Sequence, residues 1–301
     1  MEKVKMSLLF KSRGYGACIK AGYNLYTDNF KKLFSSTWIL VLIISFVEGL
    51  NRAIDMSTAG STQLYTFIIG IIIEVGFAII LFGTIYYILN QHAETDVFTR
   101  TTFKNNSKDI SAFSLRVIKT IVWEIILSVP FIAIYIFFLK TMAGFSLSDP
   151  SVHKYMIIIF FAIIIAFILY MPFGYLMMKY NVGEKIHSLT LIRKEYRIGF
   201  KHWGFIFAVA LITVIVTMIA VLVVNMPQII ISSAQRISVM GVLQGDPSGL
   251  PSYFGFMVFA VSLITTFIAI FVEMAMIFPI YYMYGSIVTQ EIEKADFDKN
   301  I

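Results

Sequence analysis

An all-α, polytopic membrane protein with six transmembrane helices is the fold class that the sequence predicts, on three observations. The hydrophobic set makes up 58% of the 301 residues and charged residues only 14%, against roughly 45–50% and 25% in a soluble domain. Mean hydropathy is +0.80. Six stretches, about 33–54, 64–90, 115–140, 154–179, 203–232 and 254–285, each supply the roughly 20 apolar residues that cross about 30 Å of hydrocarbon. Runs such as Ile157, Ile158, Ile159, Phe160 and Phe161 lack the in–out alternation of a barrel strand, so the spans read as helices. This composition excludes an aqueous globular enzyme, a disordered tail and a coiled coil. A single membrane domain over 1–301 follows.

The elements follow in order. Residues 19–34 place Ile19, Tyr23, Tyr26, Phe30, Leu33 and Phe34 at three- and four-residue steps, with Lys20, Asn24, Asp28, Lys31 and Lys32 elsewhere on the wheel. That is an amphipathic helix lying in the membrane interface and feeding the first span. No small-residue cleavage site follows the first apolar run, so the span is expected to stay as an anchor. The second connection is basic but interrupted by Lys104–Asp109. The fourth span carries no charge between Lys154 and Lys179. After it, 186–201 repeats the interfacial design: Leu189, Ile192, Tyr196, Phe200 and Trp203 form one stripe beside Arg193, Lys194, Arg197 and Lys201. The fifth span is uncharged from Trp203 to Gln235, longer than a bilayer needs, and is expected to tilt, kink at Pro227 or run on along the outer surface. Pro130, Pro172, Pro227 and Pro279 are each expected to break one of the last four spans.

Orientation follows from Lys and Arg in the flanks. The N-terminal segment, the even-numbered connections and the tail hold 20 of these residues, and the odd-numbered connections hold 4 (Arg52, Lys140, Lys154 and Arg236). Both termini are therefore expected in the cytoplasm, with the net charge of +6 facing anionic headgroups. Phe30, Phe113 and Phe200 stand 83 and 87 residues apart, each just before an odd-numbered span. The even-numbered spans end alike, at Phe82-Gly83, Pro172-Phe173-Gly174 and Phe278-Pro279. The pattern suggests three parallel copies of interfacial helix plus two-span hairpin.

The segments Lys20-Ala21-Gly22-Tyr23, Asn29-Phe30-Lys31-Lys32-Leu33 and Phe200-Lys201-His202-Trp203 resemble a loose group of six-span bacterial membrane proteins. That group includes the membrane domain carried by some glycerophosphodiester phosphodiesterases. The resemblance covers about 19–290. It implies a bacterial inner-membrane location and a role near lipid or envelope metabolism. The phosphodiesterase activity is not expected to carry over, since no catalytic barrel is read after the last span.

Four carboxylates fall within the spans: Glu48, Glu74, Glu124 and Glu273. With no Lys or Arg inside a span to pair with them, each is expected to be protonated, hydrogen-bonded or facing a wet cavity. Glu74 reads as near midplane, Glu124 and Glu273 as towards the cytoplasm and Glu48 as towards the outer face. Two readings stay open: a proton- or cation-responsive cavity centred on Glu74 and Glu273, or neutral carboxyls bonding between helices. Lys20, Lys31, Lys32, Arg193, Lys194, Arg197 and Lys201 are the expected headgroup contacts.

No nucleotide-binding, zinc-protease or nucleophile-elbow motif occurs. The histidines at 92, 153, 187 and 202 fit no zinc spacing, and the single cysteine, Cys18, excludes an intramolecular disulfide. No catalytic residue, cofactor, metal or nucleic-acid partner is expected. The partners expected are membrane lipids and a protein. The leading reading is a non-enzymatic multi-pass protein that contacts lipid and supports envelope or lipid homeostasis or a partner complex. The alternative is a secondary transporter or lipid translocator that uses the intramembrane Glu residues.

Overall fold

The computed structural model describes residues 8–57, 61–101, 103–142, 150–183, 188–245 and 249–299; side chains at 55–57, 61–64, 103–104, 137–142, 150–156, 159–160 and 188–193 are outside that description. Helices alone make up its regular structure, with no strand among the described residues. In chain order they are α1 (Tyr15–Asp28), α2 (Phe30–Ser57), α3 (Ser61–Thr95), α4 (Phe103–Met142), α5 (Pro150–Val182), α6 (Ser188–Lys201), α7 (Trp203–Val224), α8 (Met226–Leu243), α9 (Phe254–Met274) and α10 (Ile277–Lys299). Among the described residues, six stretches are long and apolar enough to cross a membrane: Phe30–Ile54, Tyr65–Thr95, Asn105–Ile136, Phe161–Val182, Trp203–Val224 and the α9–α10 stretch Phe254–Lys299. Between 11% and 33% of each crossing window is buried inside the protein. Most of their apolar surface therefore faces outward, as hydrocarbon-facing helices require. This is a multi-pass membrane protein.

The spans form three hairpins, α2/α3, α4/α5 and α7/α9, and each packs on both others through α3–α4, α5–α7 and α9–α2. The result is a closed ring of six helices. Phe34 packs on Phe267 and Phe271 at one end of the α2/α9 pair, and Phe46 on Phe259 at the other. α10 runs beneath the ring at its basic end. It touches α1, α5, α7 and α9, and Ile277, Phe278, Pro279, Tyr281–Ile287 are all buried. The opening segment is tied to the same end: Ser286 Oγ donates to the Arg13 carbonyl at 2.9 Å, and Leu8 N–H donates to Asp96 Oδ1 at 2.7 Å.

Helix breaks correct several boundaries. The interfacial helix expected over 19–34 is α1, Tyr15–Asp28. It ends at Asn29, whose amide nitrogen folds back to donate to the Leu25 carbonyl at 3.1 Å, and α2 starts at Phe30. His202 separates α6 from α7 in the same position relative to its span. In the second unit the equivalent is only one non-helical residue inside α4, Asn106. The long fifth span ends at Asn225, whose side chain caps the Val221 carbonyl at 3.0 Å. α8 then begins with Pro227 in its first turn, where a missing N–H costs nothing. α9 stops at Met274 because Pro279 cannot donate to, and its ring would clash with, the carbonyl four residues back at Ala275. Pro130 and Pro172 do not end their helices: α4 and α5 run through them.

Close approach explains where α1 sits. Cys18, Gly22 and Tyr26, spaced by one turn, make its buried face. A Cβ on Gly22 would lie 2.4 Å from Pro279 N and 2.7 Å from the Phe278 carbonyl carbon, so only glycine lets the two backbones meet there. Tyr26 Oη donates to the Phe271 carbonyl at 2.7 Å, at the level where α9 gives way to α10.

Candidate functional site

The intramembrane carboxylates separate into three places. Glu48 on α2 is not alone: Arg52, one turn on, donates its Nε to Glu48 Oε1. The sequence suggested no basic partner, because Arg52 falls near the end of its span; a single helical turn brings it back. Glu74 on α3 accepts from Asn51 Nδ2 at 3.0 Å. Gly70 makes room for that amide, since a Cβ there would lie 2.1 Å from Asn51 Nδ2. Glu48, Asn51, Arg52 and Glu74 thus form one polar cluster between α2 and α3, towards the end opposite α1. Glu74 belongs to this cluster and not to the centre of the ring.

Glu124 lies elsewhere, on α4, the helix that packs between α3 and α5. Glu273 stands in the last turn of α9 on an exposed face. Because Phe271 packs on Phe34, Glu273 sits level with the start of α2. Some seventeen residues of α2 separate that level from Glu48, on the order of 25 Å at 1.5 Å per residue. A shared cavity around Glu74 and Glu273 is therefore not assembled. The two lie at opposite ends of the α2/α9 pair.

The expected headgroup contacts divide likewise. Lys20, Lys31, Lys194 and Arg197 are exposed and make no ion pair or side-chain hydrogen bond among the described residues. Lys32 donates to the Phe98 carbonyl at 3.0 Å and so pins the segment after α3. Lys201 pairs with Glu291 of α10, which His202 Nε2 also approaches at 2.8 Å. The Arg193 side chain lies outside the described residues, as do His153 and His187.

Both basic helices also carry a protein-facing side that hydrophobic periodicity did not reveal. Among the described side chains of α6, Glu195 and Gly199 are the buried ones. Glu195 is the one acid in a basic run; it pairs with Lys179 at 2.6 Å and accepts from Tyr175 Oη at 3.3 Å. Phe200, by contrast, points outward at 49% exposure. Arg116 completes the inner belt, donating to the carbonyls of Asn181 and Gly183 at the end of α5 while its guanidinium lies 4.5 Å over the Phe113 ring. A cation against the last carbonyls of a helix is favourable both by charge and by hydrogen bonding. Buried His92 sits with Nδ1 2.9 Å from Tyr281 Oη, whose proton goes to the Leu89 carbonyl at 3.2 Å. The imidazole Nδ1 is then the donor towards Tyr281.

No family model, no curated protein and no solved structure matches this chain.

Proposed function

We propose that this chain is a non-enzymatic multi-pass protein of a bacterial inner membrane. In this reading both termini are cytoplasmic, the basic end engages anionic headgroups, and the protein supports envelope or lipid homeostasis or a partner complex. One observation carries it: Lys20 on α1, Lys31 at the start of α2, and Lys194 and Arg197 on α6 stand exposed and unpaired among the described residues, at the same end of the ring. Cations left free at an interface gain about 1 kcal/mol each from an anionic leaflet. The residues beside them already serve the fold, which leaves these four for lipid. The transporter reading draws no support from the carboxylates, because they do not converge on one path.

The test compares unfolding in phosphatidylcholine nanodiscs with and without phosphatidylglycerol. Wild-type protein gains stability from the anionic lipid, and a variant with Lys20, Lys31, Lys194 and Arg197 all changed to Gln loses most of that gain. Equal stability in the two lipids defeats the proposal.

A further inference from the structure

At the opposite end of the ring, α2 and α8 enclose an open cavity of about 400 Å³ lined by Arg52, Asn225, Gln228, Ile229, Ser232, Ser233 and Arg236. The sequence explains why these residues meet. Asn225, Gln228, Ser232 and Arg236 recur at three- and four-residue steps from the break that starts α8, so they share one face. Other positions on α8, such as Ile230, Ile237 and Leu243, are apolar and exposed. α8 therefore presents a polar stripe to Arg52 and apolar side chains to its surroundings.

The chemistry of the lining is that of a donor set. Ser262 Oγ donates to Gln228 Oε1 at 2.8 Å, which leaves the Gln228 NH₂ as the group free to act in the cavity. Arg52 and Arg236 both line the space, and no carboxylate among the described residues does. Glu48 accepts from Arg52 Nε, and the terminal nitrogens of that fork make no hydrogen bond among the described residues. Arg236 makes no ion pair among the described residues. Glu48 compensates Arg52, whereas the Arg236 charge has no carboxylate partner among the described residues, and an anion held beside it and the open end of the Arg52 fork supplies one. Guanidinium forks match the paired oxygens of a phosphate, and the volume lies in the range of small-ligand sites.

We propose that this cavity binds a phosphate group, lipid-borne or free, between Arg52 and Arg236, with the Gln228 amide as a further donor. The site is distinct from the lysine-rich interface of the proposed function and lies at the other end of the ring.

Full-length protein in an uncharged detergent is titrated, at constant ionic strength, with a short-chain phosphatidylglycerol, with inorganic phosphate and with the diacylglycerol that lacks the phosphate, while thermal unfolding is followed. A shift with the phospholipid alone assigns the site to a lipid headgroup. A shift of similar size with inorganic phosphate assigns it to the free ion. In either case Arg236→Gln, an exposed residue whose loss leaves the fold intact, weakens binding about tenfold, the effect of one lost charge-assisted contact. Arg52→Gln does the same but also frees Glu48, so Arg236→Gln is the deciding variant. The Lys20, Lys31, Lys194 and Arg197 variant retains the shift, which separates this site from the basic end. The proposal is overturned if no phosphate-bearing probe raises the unfolding temperature, if diacylglycerol does so equally, or if Arg236→Gln binds like wild type.

Discussion

The contact between α1 and α10 offers a stringent check on the packing, because it rests on the absence of one methyl group. Gly22→Ala places a Cβ 2.4 Å from Pro279 N, 2.6 Å from its Cα and 2.7 Å from the Phe278 carbonyl carbon. All three are backbone atoms, so no side chain can rotate away. Restoring even a tight 3.4 Å contact moves the helices apart by about 1 Å. Overpacking of this kind costs about 1–3 kcal/mol, and the rigid neighbours put it at the upper end. Alanine returns roughly 1 kcal/mol of helix propensity. The net loss is about 2 kcal/mol. Gly16→Ala is the matched control: it lies on the same helix with nothing within 4 Å of its Cβ, so it keeps the propensity gain without the clash.

Cys18 supplies a local reading of the same event. It is fully buried one turn from Gly22, and burial raises its thiol above the ordinary range, so alkylation of the folded protein is slow. As the sole cysteine it reports on this contact alone. Gly22→Ala is expected to lower the unfolding temperature by several degrees and to speed Cys18 alkylation in the native state. Gly16→Ala changes neither for the worse. Alkylation and melting of Gly22→Ala that match the control would refute the close packing of α1 on α10.

Other expectations follow from single contacts. Tyr26→Phe removes the buried donor to the Phe271 carbonyl and is expected to cost about 1–2 kcal/mol, read by the same unfolding assay. Burial acts to raise the Glu291 carboxyl in the charged end of α10, but the hydrogen bonds and charges of Lys201 and His202 outweigh it and hold the group below its usual value. Its contribution is thus present above the unfolded carboxylate range and lost as pH falls through the lower folded value. The melting-temperature gap between wild type and Glu291→Gln should be open at neutral pH and close in acid; a gap independent of pH would contradict the pairing. Glu74→Gln keeps an acceptor for Asn51 and Glu273→Gln alters an exposed position, so both fold and insert like wild type. Loss of a proton flux in vesicles on either change would instead revive the transporter reading.

Much of this architecture was legible in composition and period. A chain this apolar has no aqueous fold, so the number of spans follows from counting charge-free runs long enough for a bilayer. The extension past the fifth span followed from the same arithmetic, and Asn225 with Pro227 marks where it happens. Basic-aromatic entries recur in the sequence before the odd-numbered spans, and the spans they precede pair into the hairpins α2/α3, α4/α5 and α7/α9. What tertiary structure alone decided is which groups meet. Periodicity assigns a helix one apolar face. It could not reveal that α1 buries Cys18, Gly22 and Tyr26 against α10, because glycine carries no hydrophobic signal and gains value only when another backbone comes within contact. Depth counted along one span made Glu74 look central and Glu48 unpaired, whereas Arg52 and Asn51 reach them from the same helix turn and from across the hairpin. Likewise Lys32 and Lys201 read as lipid contacts in a linear sequence, and only the fold brings Phe98 and Glu291 within reach. Arg52 and Arg236 stand 184 positions apart in the chain. No local pattern joins them, and they come to line one cavity only when the first and third hairpins pack together.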